Sequence, residues 1–299
     1  MDIKKYEIFL AAVDRGSLTS VCEELGYTQS GITHMMNSLE KEVGFPLLLR
    51  TNKGVKLTAE GREVLPLIRE LVRQNDNLEQ RFSQIKGAER GRVKVGTYPT
   101  IACAWMPRII KRLSENSPGI QVEVLEENSV VRLQQLLRDG VIDLCFTSRQ
   151  PHMALEWKTL KKDMYQALLP ADHPAAGKDK VDVRELMGST FFMCKSVDGM
   201  DPDIDRVFAR YDMPISSTYT CNSDYTIIYM VEQGLGVSIL PQLFLDMNVP
   251  EDPDKAGIAV RDLTQEAYRE LGVAARSFSG LSPAAKTFMR MTEEEFKDI

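Results

Sequence analysis

Residues 16–61 constrain the fold more than any other stretch of this chain. They read GSLTSVCEELGYTQSGITHMMNSLEKEVGFPLLLRTNKGVKLTAEG. Leu18, Val21 and Leu25 share one face of a short helix, and Ser17 stands where an N-cap accepts a backbone N–H. Gly26 suits the left-handed conformation that ends a helix. Thr28 can then cap a second helix, whose apolar face is Ile32, Met35, Met36, Leu39 and Val43. Its other face carries Gln29, Ser30, Thr33, His34, Asn37 and Lys41. An amphipathic αα-hairpin has the same periodicity. The order of parts separates the two readings. Residues 47–50 and 55–58 form a candidate hairpin around Asn52-Lys53-Gly54, a set of residues suited to a tight turn. A polar helix set after a three-residue turn and followed by a small β-wing is what reading a major groove requires. The segment is therefore expected to bind double-stranded DNA. Gln29, Ser30 and Thr33 would read base edges with His34 auxiliary, Asn37 would lie on the same DNA-facing side, and Arg50, Lys53 and Lys56 would lie where the wing meets phosphates.

Charge supports this only locally. The whole chain carries a net charge of −6, and residues 1–61 hold seven basic and eight acidic side chains, so no basic domain exists. Residues 41–62, however, hold five basic residues against two acidic ones. A positive wing on a near-neutral domain implies weak binding by one copy, with a dimer needed to collect enough phosphate contacts.

After the wing, Val64, Ile68, Leu71, Asn75, Leu78, Phe82 and Ile85 recur at alternating spacings of four and three, a heptad seam with Pro66 near its start. Such a seam either packs on its own domain or pairs with a second copy, where Asn75 would fix register. Gly87-Ala88-Glu89-Arg90-Gly91 ends the helix and reads as a hinge. Beyond it strands and helices alternate: strands over 92–96, 120–125 and 143–146, with helices over 101–113 and 130–138 between them. This βαβαβ order predicts a parallel sheet with right-handed crossovers. A second unit starts near Asp163, with strands over 165–169, 191–194, 219–221 and 237–240. From about Tyr268 a strand and a helix can return to the first unit. The carboxyl ends of these strands carry small polar groups: Thr97 and Thr100, Asn128 and Ser129, Thr147 and Ser148 with Arg149, and Asn222 and Ser223. The segment Asp198-Gly199-Met200-Asp201 follows another. Ligands of open α/β sheets bind at such ends. Thr100, Ser129 and Ser223 are equally placed to serve as helix N-caps.

The sequence resembles the LysR-type transcriptional regulators over nearly its whole length. The resemblance rests on Phe9 and Val13, Gly16-Ser17-Leu18-Thr19, Leu25, Thr28-Gln29-Ser30, Ile32-Thr33, Leu39-Glu40, Gly44, Leu47, Arg50, Leu57-Thr58 and Gly61. Val21-Cys22 replaces the family's usual Ala-Ala pair, which implies looser helix packing. His34 stands where Arg or Lys is usual, and Leu48 where Phe is usual. The resemblance implies a DNA-binding segment over 1–61, a dimerising linker helix over 62–86, a hinge over 87–91 and an effector-binding segment over 92–299. The last would have a periplasmic-binding-protein-like fold of two α/β lobes, one over about 92–162 plus 268–299 and the other over about 163–267. It further implies a homodimer or homotetramer, and a small effector in the inter-lobe cleft near Thr97, Thr100, Asn128, Thr147, Ser148, Asn222 and Ser223. Helix N-termini aimed into that crevice favour an anion, and the lack of a dense arginine cluster favours a carboxylate over a polyphosphate.

Other classes fit less well. There is no Ser-His-Asp or Cys-His pairing, phosphate loop or carboxylate dyad, so no catalytic residues and no cofactor are assigned. His34, His152 and His173 are far apart and lack metal-ligand spacing to any Cys, so no metal is expected either. The absence of a membrane-spanning run and of an apolar leader in MDIKKYEIF points to the cytoplasm and away from a secreted solute-binding protein. The cysteines, Cys22, Cys103, Cys145, Cys194 and Cys221, are scattered and odd in number, which predicts reduced thiols. Cys145 and Cys194 fit apolar strands as core thiols. Met200 occupies the region where a peroxide-reactive Cys would be sought in this family, and no close cysteine pair is expected. A thiol redox sensor is therefore the weaker alternative.

Overall fold

The computed structural model describes residues 2–51, 54–87, 89–151, 153–186, 188–196, 199–200, 202–211, 219–221, 223–250 and 257–297. The helices α1 (Ile3–Arg15), α2 (Leu18–Leu25) and α3 (Gln29–Val43) precede an antiparallel hairpin of β1 (Leu48–Thr51) and β2 (Gly54–Leu57). Ser17 and Thr28 cap α2 and α3 by accepting from the amides of Ser20 and Gly31, and Gly26 ends α2 at φ 66°. Ile8, Phe9, Val21, Ile32, Met36, Leu39 and Leu47 are buried together. Burying one such side chain contributes about 1.5–3 kcal/mol. Val21 is fully buried, and the half-buried Cys22 thiol donates to the Leu18 carbonyl at 3.1 Å. The pair that departs from the family pattern thus sits inside the helix contact. Two glycines hold the wing. A Cβ on Gly54, at φ 118°, would lie 2.1 Å from the Gly16 carbonyl oxygen, the same oxygen that accepts from the Val55 amide at 2.9 Å. A Cβ on Gly61 would lie 2.3 Å from the Leu47 oxygen.

Thr58 caps α4 (Ala59–Ile85), which contains Pro66. The heptad seam divides along its length. Ile68 is buried, and Val64 and Leu71 are half-buried, against the winged segment, whereas Leu78, Phe82 and Ile85 are 51%, 46% and 77% exposed. Only the second half of the seam is thus available to another copy. This half also touches the chain's own C-terminal part, since Gln80 Oε1 accepts from the Ala284 amide at 3.2 Å.

The first lobe begins with β3 (Gly91–Thr97), α5 (Pro99–Asn116), β4 (Ile120–Glu126), α6 (Val130–Arg138) and β5 (Leu144–Ser148). Strand β3 lies between β4 and β5, parallel to both. The chain continues through β6 (Glu156–Pro170), β7 (Lys180–Val181), β8 (Phe191–Ser196), β9 (Gly199–Met200), α7 (Pro202–Arg210), β10 (Tyr219–Cys221) and α8 (Asp224–Glu232). It ends with β11 (Val237–Pro241), α9 (Gln242–Asn248), β12 (Ile258–Leu263), β13 (Tyr268–Ala275) and α10 (Pro283–Glu295). The strand order is β10-β8-β11-β6-β13-β5-β3-β4. Strand β13 lies antiparallel on β5, and α10 packs on the first lobe through Ala285, Phe288 and Met289. The second lobe has its own cores on the two faces of β8 and β11.

Four details depart from the sequence reading. Strand β6 begins at Glu156 rather than near residue 165. Its first half pairs with β13 in the first lobe, and its second half pairs with β11 and β12 in the second. Lys158, Lys161 and Lys162 on this crossing strand hide it as a loop. Strand β12 has no counterpart in the sequence reading. Strand β5 runs through Ser148, so Thr147 and Ser148 belong to the strand instead of following it. Finally, Cys194 and Cys221, distant in sequence, are register partners on the adjacent strands β8 and β10, which corrects the expectation that no close cysteine pair exists.

Candidate functional site

The first candidate surface is built on α3 and β1. Gln29 and Ser30 occupy the first turn of α3 and are exposed, as are His34 and Asn37, while Thr33 is half-buried. The Ser30 hydroxyl shares a hydrogen bond with the Thr28 cap at 3.2 Å. Arg50, exposed on β1, donates to Asn37 Oδ1 at 2.6 Å, so the wing and the helix present one polar ridge. Lys53 lies outside the described residues. Lys56 is exposed on the same hairpin, and Arg62 donates to the Leu57 carbonyl at 3.0 Å. Glu40 fixes the relation of helix to wing. Its Oε1 accepts from the amides of Leu47 at 2.7 Å and Leu48 at 3.0 Å. Residue type and spacing do not reveal this role, although Leu39-Glu40 stands in the family pattern.

The second candidate surface lies where the two lobes meet. Thr97, Thr147 and Ser148 are fully buried at the carboxyl ends of β3 and β5. The Thr97 hydroxyl donates to the Tyr98 carbonyl at 3.2 Å, whereas Thr147 Oγ1 is buried with no hydrogen-bond partner among the described residues. Tyr98, and not Thr100, is the N-cap of α5, and it makes no side-chain capping bond. Thr100 sits half-buried in the first helical turn. Asn128 is exposed, and its neighbour Ser129 caps α6 by accepting from the Arg132 amide at 3.0 Å. Ser223 is the N-cap of α8 without a side-chain capping bond. Asn222, Asp198 and Asp201 lie outside the described residues, while Gly199 and Met200 form β9 against β8. The structure therefore gathers Thr97, Thr147 and Ser148 with the start of α5, and places Ser223 on the other lobe.

Several residues at this junction escaped the sequence reading. Tyr98 Oη lies 3.2 Å from Ser148 Oγ, to which Gln150 Nε2 donates at 2.8 Å. Gln150 in turn meets the second lobe, accepting from Arg206 Nη1 at 2.7 Å and donating to Asp203 Oδ1 at 3.3 Å. Arg206 also pairs closely with Asp203. Arg149 pairs with Glu270 at 3.2 Å. Deeper still, Asp163 accepts from Arg269 at 2.9 Å and from the Leu243 amide at 2.8 Å, with both side chains nearly sealed from solvent. Arg269 also lies over the Tyr98 ring, 5.9 Å from its centroid. Arg149, Arg206 and Arg269 each have a carboxylate partner, in Glu270, Asp203 and Asp163.

The family models decide the assignment. Residues 3–62 match the bacterial regulatory helix-turn-helix protein, lysR family, and residues 86–297 match the LysR substrate binding domain. The chain belongs to the LysR family of transcriptional regulators. Among its relatives is the uncharacterized HTH-type transcriptional regulator YvbU of Bacillus subtilis, 28% identical over 99% of each chain. Another is the transcriptional activator CmpR of Synechocystis, 23% identical over 80% of this chain and 78% of the relative. A full-length OxyR variant from Pseudomonas aeruginosa shares the fold at TM-score 0.73 and 22% identity, covering 98% of this chain and 96% of that one. Full-length BenM shares it at TM-score 0.61 and 19% identity, covering 99% and 97%. A LysR-type regulator carries a DNA-binding helix-turn-helix and an effector-binding domain, here residues 3–62 and 86–297. Among the described residues no helix is long and apolar enough to cross a membrane.

Proposed function

We propose that this LysR-type regulator reads a double-stranded operator as a homodimer or homotetramer, and that a small organic carboxylate between the lobes controls it without catalysis. The polar ridge of Gln29, Ser30, Thr33, His34 and Asn37 would meet base edges, with Arg50 and Lys53 on the backbone. Two exposed residues joined across helix and wing, Asn37 and Arg50, support a single docking face. The effector site would comprise Thr97, Thr100, Asn128, Thr147, Ser148, Asn222 and Ser223. The observation that carries it is the buried Thr147 Oγ1 at the end of β5, which has no hydrogen-bond partner among the described residues. A native protein rarely leaves such a group unsatisfied without a reason. The start of α5, capped by no side chain, adds amide donors and the positive end of a helix dipole.

An entering carboxylate would compete with Asp203 for Arg206 and so act on the Gln150 contact between lobes. It shifts the regulator only through different affinities for two arrangements. The test is a thermal-shift screen of organic acids against their neutral amides, repeated on Thr100→Val and Thr147→Val. Acids that stabilise the wild type, and lose that effect in both variants, support the site. A neutral ligand, or an acid indifferent to both substitutions, contradicts it.

A further inference from the structure

We infer that Cys194 and Cys221 form a reversible intramolecular disulfide by exchange with a low-molecular-weight disulfide. The two residues are paired in register on the parallel strands β8 and β10. Neighbouring strands lie about 4.8 Å apart, within the Cα separation of about 4.4–6.8 Å that a disulfide spans. Side chains two positions apart on a strand share a face. On that face, Phe192 and Tyr219, the preceding pair in the same register, touch with ring centroids 5.9 Å apart. The ring contact and the register together place both sulfurs on one side of the sheet, toward Ile227, Ile228 and Phe244. Both cysteines are half-buried, so a small disulfide has access that the sealed Cys145 denies it.

Two further features suit a bridge. Strand β10 is a three-residue strand at the end of the sheet, and among the described residues no strand pairs with its outer side, so a small approach toward β8 breaks no strand pairing there. The Cys221 thiol donates to the Ser223 carbonyl at 3.2 Å, and Ser223 is the N-cap of α8. Loss of that thiol proton on bridging is thus felt at the helix start.

The chemistry balances in two exchanges. A thiolate of the pair attacks one sulfur of the small disulfide, breaking its S–S bond, expelling one thiolate and leaving a mixed disulfide on the chain. The second cysteine, as thiolate, attacks the chain's own sulfur and expels the second small thiolate. The chain loses two protons and two electrons, and the small disulfide is reduced to two thiols. The bridge itself does not depend on a ligand between the lobes. Its consequence at Ser223 rests on the effector site proposed above.

The test equilibrates the native full-length protein in glutathione buffers of graded oxidation, quenches it with acid, and maps thiols by alkylation under denaturing conditions with mass spectrometry. The expected result is one linked pair, Cys194 with Cys221, that forms and reverts with the glutathione ratio while Cys22 and Cys145 stay alkylatable. Cys194→Ser should halt the reaction at a glutathione adduct on Cys221, and Cys221→Ser the converse. The inference is overturned if both cysteines stay alkylatable at every ratio while the exposed Cys103 takes up glutathione. It is equally overturned if each of the two carries its own adduct in the wild type, or if the link appears only after unfolding. If the bridge forms but leaves amide exchange over 223–232 unchanged, the coupling to the cleft is refuted and the disulfide stands.

Discussion

Glu40 offers a sharp test of how the reading helix is coupled to the wing. One carboxylate oxygen on α3 accepts both the Leu47 and Leu48 amides, at 2.7 and 3.0 Å. Leu47 and Leu48 are buried, so neither amide has ready access to water. A hydrogen bond to a charged group contributes about 1.5–3 kcal/mol. Glu40 itself is half-buried, and water admitted by a smaller residue recovers part of that loss. Glu40→Ala is therefore expected to cost about 2–3 kcal/mol locally, less than the sum of two charged bonds. At about 1.4 kcal/mol per factor of ten, exchange of the two amides accelerates roughly 30- to 140-fold if they open locally. Glu40→Gln keeps an oxygen in place and loses only the charge, so its acceleration should be well under a third of that. Because β1 carries Arg50, DNA affinity should fall in the order wild type, Gln, Ala. Hydrogen exchange of the full-length protein, read by mass spectrometry over 45–50, checks the first point, and fluorescence anisotropy on duplex DNA the second. If Glu40→Ala leaves both exchange and affinity unchanged, the coupling of helix to wing is refuted.

Phe82→Asp changes a side chain that is 46% exposed and outside the winged-segment core, and should reduce the oligomer in sedimentation without lowering stability by more than about 0.5 kcal/mol. Leu71→Asp would confuse assembly with folding, since Leu71 packs on its own winged segment. Asp163→Ala removes the buried carboxylate that accepts from Arg269 and should cost about 3–5 kcal/mol in denaturant unfolding of the effector lobes. Burial holds the Asp143 carboxyl above the usual range, outweighing the bond it accepts from the Lys94 amide. The native state thus favours the neutral form, so this group's contribution is greatest at acid pH and falls as pH rises from the ordinary carboxylate range through the raised value. Asp143→Asn should flatten that decline in a series of melting curves.

What was legible in the sequence was local. Ser17, Gly26, Thr28 and the apolar face of α3 announce themselves by residue type and spacing, and each sits where capping and periodicity put it. The βαβαβ order of the first lobe was equally readable because its strands and helices alternate in period. The losses came from contacts that sequence distance conceals. Strand β6 serves both lobes, and its lysine-rich first half has no apolar alternation to betray it. Arg149 and Arg269 look solitary in the sequence, yet the fold brings each to a carboxylate, Glu270 and Asp163. The seam of α4 looked uniform, but its first half is used up by the winged segment and only its second half stays exposed. Cys194 and Cys221 became neighbours only through the pairing of β8 with β10.

In the proposed function the exposed start of α3 reads bases. Fluorescence anisotropy on DNA from upstream of the gene, with a set of single-base-pair variants, tests this by comparing wild type with Gln29→Ala. Gln29 can pair bidentately with an adenine edge. The substitution should cost about 1–3 kcal/mol on the native site and abolish discrimination at one base position, leaving the others and the salt dependence intact. Equal affinity and equal base preference in the two proteins would place the reading surface elsewhere.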